Sequence, residues 1–280
     1  MKKLSPYIRL MRLDKPIGIL LLLWPTLWGL VLAAKGEHDL KITLIFIAGV
    51  VIMRSAGCVI NDVADRKFDG KVKRTKQRPL ASGELSIKQA LVLFFVLVML
   101  AFILVLQLNF TTILMSIVAI LLAISYPFAK RITSLPQAHL GVAFAWAIPM
   151  AYTAYGQMPD LSCWLLFGAT AVWALIYDTI YAMVDRDDDI KIGVRSSAIL
   201  FGKYDVVIVS FLQIAFISLL SCVGMLEQLE VGYFLSLAVV VAFFMYHLKL
   251  IWLRQREQCF KAFLNNHWIG VVVLIGVVLS

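Results

Sequence analysis

Nine long apolar runs, at approximately 17–34, 42–60, 88–107, 111–128, 137–155, 161–183, 206–226, 231–252 and 263–280, constrain this 280-residue chain more than any other feature. An α-helix needs about 20 apolar residues to cross a bilayer core, with tilt and kinks absorbing the variation. In hydrocarbon every backbone N–H and C=O must find a partner within the protein, so runs of this length fold as helices. Composition agrees: 61% of the residues are hydrophobic, against about 45–50% in soluble domains even counting Gly. The expected fold is all-α, a polytopic membrane protein with nine transmembrane helices in a single domain over 1–280. Pro25, Pro127 and Pro149 fall within or at the ends of runs, where neighbouring helices can satisfy the freed carbonyls. Residues 1–15 read as an interfacial helix, with Ser5-Pro6 at its start and Tyr7, Ile8, Leu10 and Met11 interleaved with Arg9 and Arg12. The first apolar run lacks a small-residue cleavage site and reads as a retained span.

A net charge of +9 raises nucleic acid as a partner, but no basic face alternates with exposed aromatics. The charges sit between the apolar runs, so nucleic acid is not expected, and their distribution reads as topology. Twenty-three of the 26 Lys and Arg fall before the first run or in the loops after runs two, four, six and eight. The opposite side carries only Lys35 and Lys41, and Arg54 lies within a run. Basic loops stay cytoplasmic, which places the N-terminus in the cytoplasm and the C-terminus outside.

With that orientation, two acidic segments lie at cytoplasmic helix ends. In Asn61-Asp-Val-Ala-Asp65-Arg-Lys-Phe-Asp69 the polar residues recur at i, i+4 and i+8, forming one helical stripe about 12 Å long. Arg54 and Cys58 continue its face. Asp178-Thr-Ile-Tyr-Ala-Met-Val-Asp185-Arg-Asp-Asp-Asp189 repeats the layout at the end of run six, a weak internal repeat. A helix C-terminus already carries about half a negative charge, so Asp65, Asp69, Asp185 and Asp189 need a cation. Oxygen donors without nearby His or Cys suit Mg²⁺, which binds one or two carboxylates and completes its octahedron with water and substrate phosphate. Two such stripes would hold a diphosphate between metal ions. Ion pairs to Arg66, Lys67 and Arg186 are the competing use of these carboxylates.

Lys73, Arg74 and Arg78 follow the first stripe, and Lys191 and Arg195 the second; all five suit phosphate oxygens, although cytoplasmic loops are basic without any substrate. Lys130 follows Tyr126 at i+4, beside Arg131. Arg54, the basic residue deep in a span, belongs in a polar cavity or in a buried ion pair with an Asp. No phosphate-binding Gly loop, GxGxxG or GxSxG occurs, and His38, His139, His247 and His267 are scattered. Cys58, Cys163 and Cys222 lie in apolar runs and Cys259 in a basic loop, none with metal-site spacing. Trp24, Trp28, Trp146 and Trp173 read as packing residues or interfacial anchors.

These motifs resemble those of the UbiA superfamily of intramembrane prenyltransferases. Its NxxxDxxxD signature is similar to Asn61–Asp69, its second DxxxD to Asp185–Asp189, and its YxxxK element to Tyr126–Lys130. Arg12-Leu-Asp14-Lys-Pro-Ile-Gly18, Leu-Trp24-Pro-Thr-Leu-Trp28 and Tyr-Ala-Met-Val-Asp185-Arg-Asp-Asp-Asp189-Ile-Lys-Ile-Gly resemble the branch that acts on 4-hydroxybenzoate. The resemblance implies helices around a central cavity, Mg²⁺ with a polyprenyl diphosphate under a cytoplasmic cap, and C-prenylation of 4-hydroxybenzoate early in ubiquinone synthesis. It implies a multi-pass protein of the bacterial inner membrane with the site toward the cytoplasm. On this reading Asn61, Asp65, Asp69, Asp185 and Asp189 are metal ligands. Asp178, on the face of Asp185, is the candidate to accept the ring proton or hold the phenol, and Arg54 or Arg131 would take the benzoate carboxylate. Another aromatic acceptor (dihydroxynaphthoate, homogentisate or haem) on the same fold and, from a different class, an anion transporter remain as alternatives.

Overall fold

A computed structural model describes residues 5–70 and 75–280, with side chains at all of these except 67, 68, 130, 131 and 192. The described residues form twelve α-helices and one 3₁₀ turn: α1 (Ser5–Leu10), α2 (Ile17–Ala34), α3 (Leu40–Asp69), α4 (Ile87–Val105), α5 (Phe110–Ile132), α6 (Pro136–Ala145), α7 (Ala147–Ala154), α8 (Leu161–Ile192), α9 (Ser197–Phe201), the turn Gly202–Tyr204, α10 (Asp205–Leu226), α11 (Val231–Ile251) and α12 (Arg256–Val278). Their starts follow local chemistry. Ser86 and Gln89 form a reciprocal capping box on α4, while Asn109, Asp160 and Ser196 accept a backbone N–H from the first turns of α5, α8 and α9. Gly193, at φ 71°, ends α8 by turning left-handed, and the N–H of Val194 closes back onto the Asp189 carbonyl.

Among the described residues, eight helical segments are long and apolar enough to cross a membrane. The expectation of nine differs at the fifth run, which folds as α6 and α7 separated at Trp146. Pro149 supplies the reason: it has no N–H to return to the Ala145 carbonyl, and its ring crowds that carbonyl. The ninth run also begins earlier than expected. α12 starts at Arg256, so Cys259 is a buried helical residue and does not lie in a loop. The first turns of α12 put Arg256 and Lys261 outward and Cys259 and Ala262 inward, a mixed pattern that an apolar-run criterion passes over.

α3 and α8 continue unbroken through their acidic segments, with 30 and 32 residues. At about 1.5 Å per residue they reach ~45 Å, against a hydrocarbon core of ~30 Å. Their excess length carries the acidic ends beyond the core toward water.

Burying apolar surface between helices gains little over lipid, so a membrane fold depends on close packing and interhelical hydrogen bonds. α8 is the axis of the larger core, packed against α6, α10 and α12. Trp28 of α2 and Trp173 of α8 are fully buried with ring centroids 5.3 Å apart, and Trp28 Nε1–H donates to the Gly270 carbonyl of α12 at 3.0 Å. A methyl group at Gly270 would lie 2.3 Å from Trp24, so these helices meet only because that residue is glycine. α3 packs chiefly with α4 in a second, smaller core, while α4 and α5 touch only lightly. α3 and α8 therefore stand apart, facing a shared cavity.

Candidate active site

A cavity of about 800 Å³ lies between α2, α3, α4, α5, α6 and α8, within the roughly 300–1,000 Å³ usual for small-molecule sites. Residues of α3 and α8 line it together: Arg54, Cys58, Asn61 and Asp62 from the first, Asp178 and Tyr181 from the second. Arg9, Arg12, Asp14, Lys15 and Arg78 complete its charged end, and Tyr126 lines it from α5. The remaining wall is largely apolar and includes Val98, Phe102, Val105, Ile117 and Ile120.

Asp62 organises the charged end. Its carboxylate is 1% exposed and accepts Arg12 Nη2 at 2.8 and 3.0 Å and Arg78 Nη1 at 3.1 Å. The same Arg78 nitrogen donates to Asp69 at 2.9 and 3.0 Å, and the Asp69 carbonyl accepts the Thr75 hydroxyl. Arg12 makes these contacts from a left-handed backbone, at φ 59°, a conformation that costs a non-glycine residue about 1–2 kcal/mol. Arg9 of α1 pairs with Glu84, so α1 and the 75–85 segment are tied together across the cavity mouth. That pairing, with a hydrogen bond from Ser82, holds the Glu84 carboxyl below its ordinary value. Sequence reasoning placed Arg78 at this site and missed Asp62 and Arg12. The only signal for Asp62 was its position beside Asn61.

Arg54 lies deeper. Its Nε–H donates to the Gly18 carbonyl at 3.3 Å, Nη1 meets Cys58 Sγ at 2.9 Å, and Cζ stands 5.6 Å from the centre of the Phe144 ring. Among the described residues no carboxylate lies within ion-pair distance of it, so a buried salt bridge does not account for this arginine. Asp178, Tyr126 and Tyr177 are within its electrostatic reach. Tyr126 in turn feels Asp178 and Asp65, and its ring stacks on His139 at 6.5 Å. Tyr181, Phe260 and Phe263 form an aromatic wall beside Asp178, with Tyr181 and Phe263 stacked 4.4 Å apart. Sequence reading assigned none of these three rings to the site.

The second stripe is anchored from outside the cavity. Asp185 is buried, and the next residue, Arg186, donates to Asp205 at 3.0 Å. Asp205, fully buried, also accepts Arg254 through Nε and Nη2, the shortest contact being 2.7 Å, and Arg256 pairs with Asp188 at 3.1 Å. Pairing of Arg186 with the stripes was the competing use of those carboxylates; this arginine pairs with Asp205. Lys191 and Arg195 are exposed and do not line the cavity, and Arg195 Nη1 donates to the Ile132 carbonyl. Lys73 and Arg74 lie outside the described residues, as do the side chains of Lys130 and Arg131.

Among the described residues no three His, Cys, Asp or Glu side chains converge as a metal-binding group. That does not conflict with Mg²⁺, which takes one or two carboxylates at a time and fills its shell with water and phosphate oxygens. Buried Asp65, Asp69 and Asp185 are an oxygen-only donor set of that kind.

The sequence profile of the UbiA prenyltransferase family matches residues 22–270. A 4-hydroxybenzoate octaprenyltransferase from Tolumonas auensis is 57% identical over 276 residues, spanning 99% of this chain and 96% of that protein. The apo structure of a UbiA homologue from Aeropyrum pernix superposes with a TM-score of 0.81 at 24% identity, covering 93% of this chain and 97% of that one. A UbiA homologue from Archaeoglobus fulgidus, solved bound to GPP and Mg²⁺, gives a TM-score of 0.74 at 16% identity over 98% of this chain and 100% of that one.

Proposed function

This chain belongs to the UbiA prenyltransferase family, and from that premise we propose that it transfers a polyprenyl group from polyprenyl diphosphate to 4-hydroxybenzoate. The product is 3-polyprenyl-4-hydroxybenzoate, on the route to ubiquinone. The observation that carries the reading is one cavity joining an Asp–Arg cluster, an arginine that pairs with no carboxylate among the described residues, and a long apolar wall. The relatives named 4-hydroxybenzoate octaprenyltransferase support this acceptor, and the homologue bound to GPP and Mg²⁺ supports the donor and the metal.

Asn61, Asp65 and Asp69 on α3 and Asp185 and Asp189 on α8 would hold Mg²⁺, which when bound neutralises a diphosphate and makes it a better leaving group. Arg78 exchanges its bonds to Asp62 and Asp69 for phosphate oxygens, with Lys73 and Arg74 as further basic partners. Lys130 and Tyr126 are the further catalytic candidates beside Asp178. The bond between the allylic carbon and the diphosphate oxygen breaks, its electron pair leaving with the oxygen. The apolar chamber keeps water from the developing cation, and the faces of Tyr181, Phe260 and Phe263 favour positive charge. A ring carbon beside the acceptor hydroxyl forms the new C–C bond, and its proton passes to Asp178. Arg54 anchors the acceptor carboxylate, with Arg131 the other candidate. Met99, Phe102 and Ile117 line the cavity yet are 55, 44 and 50% exposed, so this wall is where a long tail would continue into lipid. The basic loops set the N-terminus and the site toward the cytoplasm of a bacterial inner membrane.

Purified protein with Mg²⁺, 4-hydroxybenzoate and a polyprenyl diphosphate should yield prenylated acid and free diphosphate. Asp65→Ala or Asp189→Ala should lower turnover by about a hundredfold or more; full turnover in either variant would remove the metal assignment. Offering dihydroxynaphthoate, homogentisate or haem in the same assay ranks the acceptors. Anion flux across proteoliposomes without diphosphate release would overturn the reading.

A further inference from the structure

Gly18 is the second residue of α2, and its backbone gives no reason for glycine. It is not among the residues with a positive φ, and within a helix glycine is less favourable than alanine by about 0.5–1 kcal/mol. The reason lies in the space beside it. A Cβ built on Gly18 would stand 2.6 Å from Arg54 Nη2, 2.8 Å from Nε and 3.0 Å from Cζ. The guanidinium lies directly against the bare backbone of α2, with Nε donating to the Gly18 carbonyl, Cys58 at one end and the Phe144 ring of α6 nearby. Three helices thus meet at one planar cation that lines the cavity.

We propose that Gly18 is a positioning residue. By withholding a side chain at this point of α2, it sets where Arg54 meets the carboxylate of the aromatic acceptor, and so sets the preference for acceptors that carry one. The inference rests on the reading of Arg54 as the acceptor's anchor. Ordinary van der Waals contact begins at 3.4 Å, so an alanine at 18 displaces the guanidinium by about 0.8 Å. The crowded atoms are the far end of a flexible side chain, so the fold gives way easily while the cation does not stay where it was. A planar fork that recognises a carboxylate through two parallel hydrogen bonds is sensitive to such a shift, whereas a diphosphate bound at the Asp62–Asp69 end is not.

The test compares wild type, Gly18→Ala, Arg54→Lys and the double variant, as full-length protein in detergent with Mg²⁺, 4-hydroxybenzoate and a polyprenyl diphosphate. Gly18→Ala should raise the KM for 4-hydroxybenzoate about tenfold and leave that for the diphosphate within about twofold, with an undiminished melting midpoint. In the Arg54→Lys background the added methyl group should change the acceptor KM by less than about twofold, because the fork it displaces is gone. If Arg54→Lys raises the acceptor KM and Gly18→Ala does not, the positioning role is overturned while the anchor stands. If Arg54→Lys leaves the acceptor KM unchanged, the anchor fails and the proposal with it. A rise in both KM values, or an equal rise in the lysine background, would assign the effect of the methyl group to general packing and overturn the proposal.

Discussion

Replacing Asp62 with asparagine removes one charge and little volume from the most buried carboxylate at the charged end of the cavity. Asp62 receives three charge-assisted contacts, two from Arg12 and one from Arg78. Hydrogen bonds to charged groups contribute about 1.5–3 kcal/mol each when both partners are buried. Here the arginine side chains are 24 and 16% exposed, so water recovers part of that. An asparagine keeps one acceptor oxygen but turns an NH₂ donor toward arginine donors. Arg78 retains Asp69, whereas among the described residues the Arg12 side chain keeps the Arg9 carbonyl alone. The net cost comes to about 2–3 kcal/mol, above the typical ~1 kcal/mol for a point substitution. Function should move with it, since Arg78 is the proposed phosphate ligand: the KM for polyprenyl diphosphate rises while that for 4-hydroxybenzoate changes little. Reversible unfolding by titrating a denaturing detergent into micelles measures the first effect and initial-rate kinetics the second. An Asp62→Asn protein with the wild-type unfolding midpoint and an unaltered diphosphate KM would refute the assignment of Asp62 as organiser of this end.

Two other perturbations follow from the ion pairs. Asp205→Asn should cost about 2 kcal/mol, because it breaks the pairs to Arg186 and Arg254 at a fully buried group while those arginines, 24 and 38% exposed, recover part of the loss from water; in metal-free protein, amide hydrogen exchange should accelerate most over 185–192, and uniform acceleration throughout the chain would argue against a local anchor for Asp185. The Arg9–Glu84 strap should loosen with acid. Arg9, then Ser82, hold the Glu84 carboxyl below its ordinary value of 4.5. A lowered folded value means that the strap's contribution is fully present above 4.5 and is lost as pH falls through the folded value. A spin label at Ser5 should therefore gain mobility below about pH 4.5 in wild type, and show high, pH-independent mobility in Glu84→Gln.

Much of the architecture was legible because the bilayer simplifies the code. Length and hydropathy alone mark the spans, and an i, i+4, i+8 stripe survives because α3 and α8 run on as unbroken helices through it. The break in the fifth run was written at Pro149, but a proline in a membrane helix is often absorbed, so its presence does not announce a split. The start of α12 was obscured by its charged outer face. The site was legible where residues share a helix face, as with Asn61, Asp65 and Asp69. It was not legible where partners come from distant segments: Arg12 and Arg78 reach Asp62 from 50 residues before and 16 residues after it.

The sequence by itself determined a membrane protein with carboxylates at two helix ends, because hydrocarbon forces backbone pairing within each run and periodicity aligns side chains along one face. Only the tertiary structure decided which cations meet which anions. Arg78 goes to Asp62 and Asp69, Arg186 and Arg254 go to Asp205, and Arg54 goes to no carboxylate among the described residues. Ion pairing depends on separations of a few ångströms, and those are set by how α2, α3, α6 and α8 pack, down to the methyl group that Gly18 does not have.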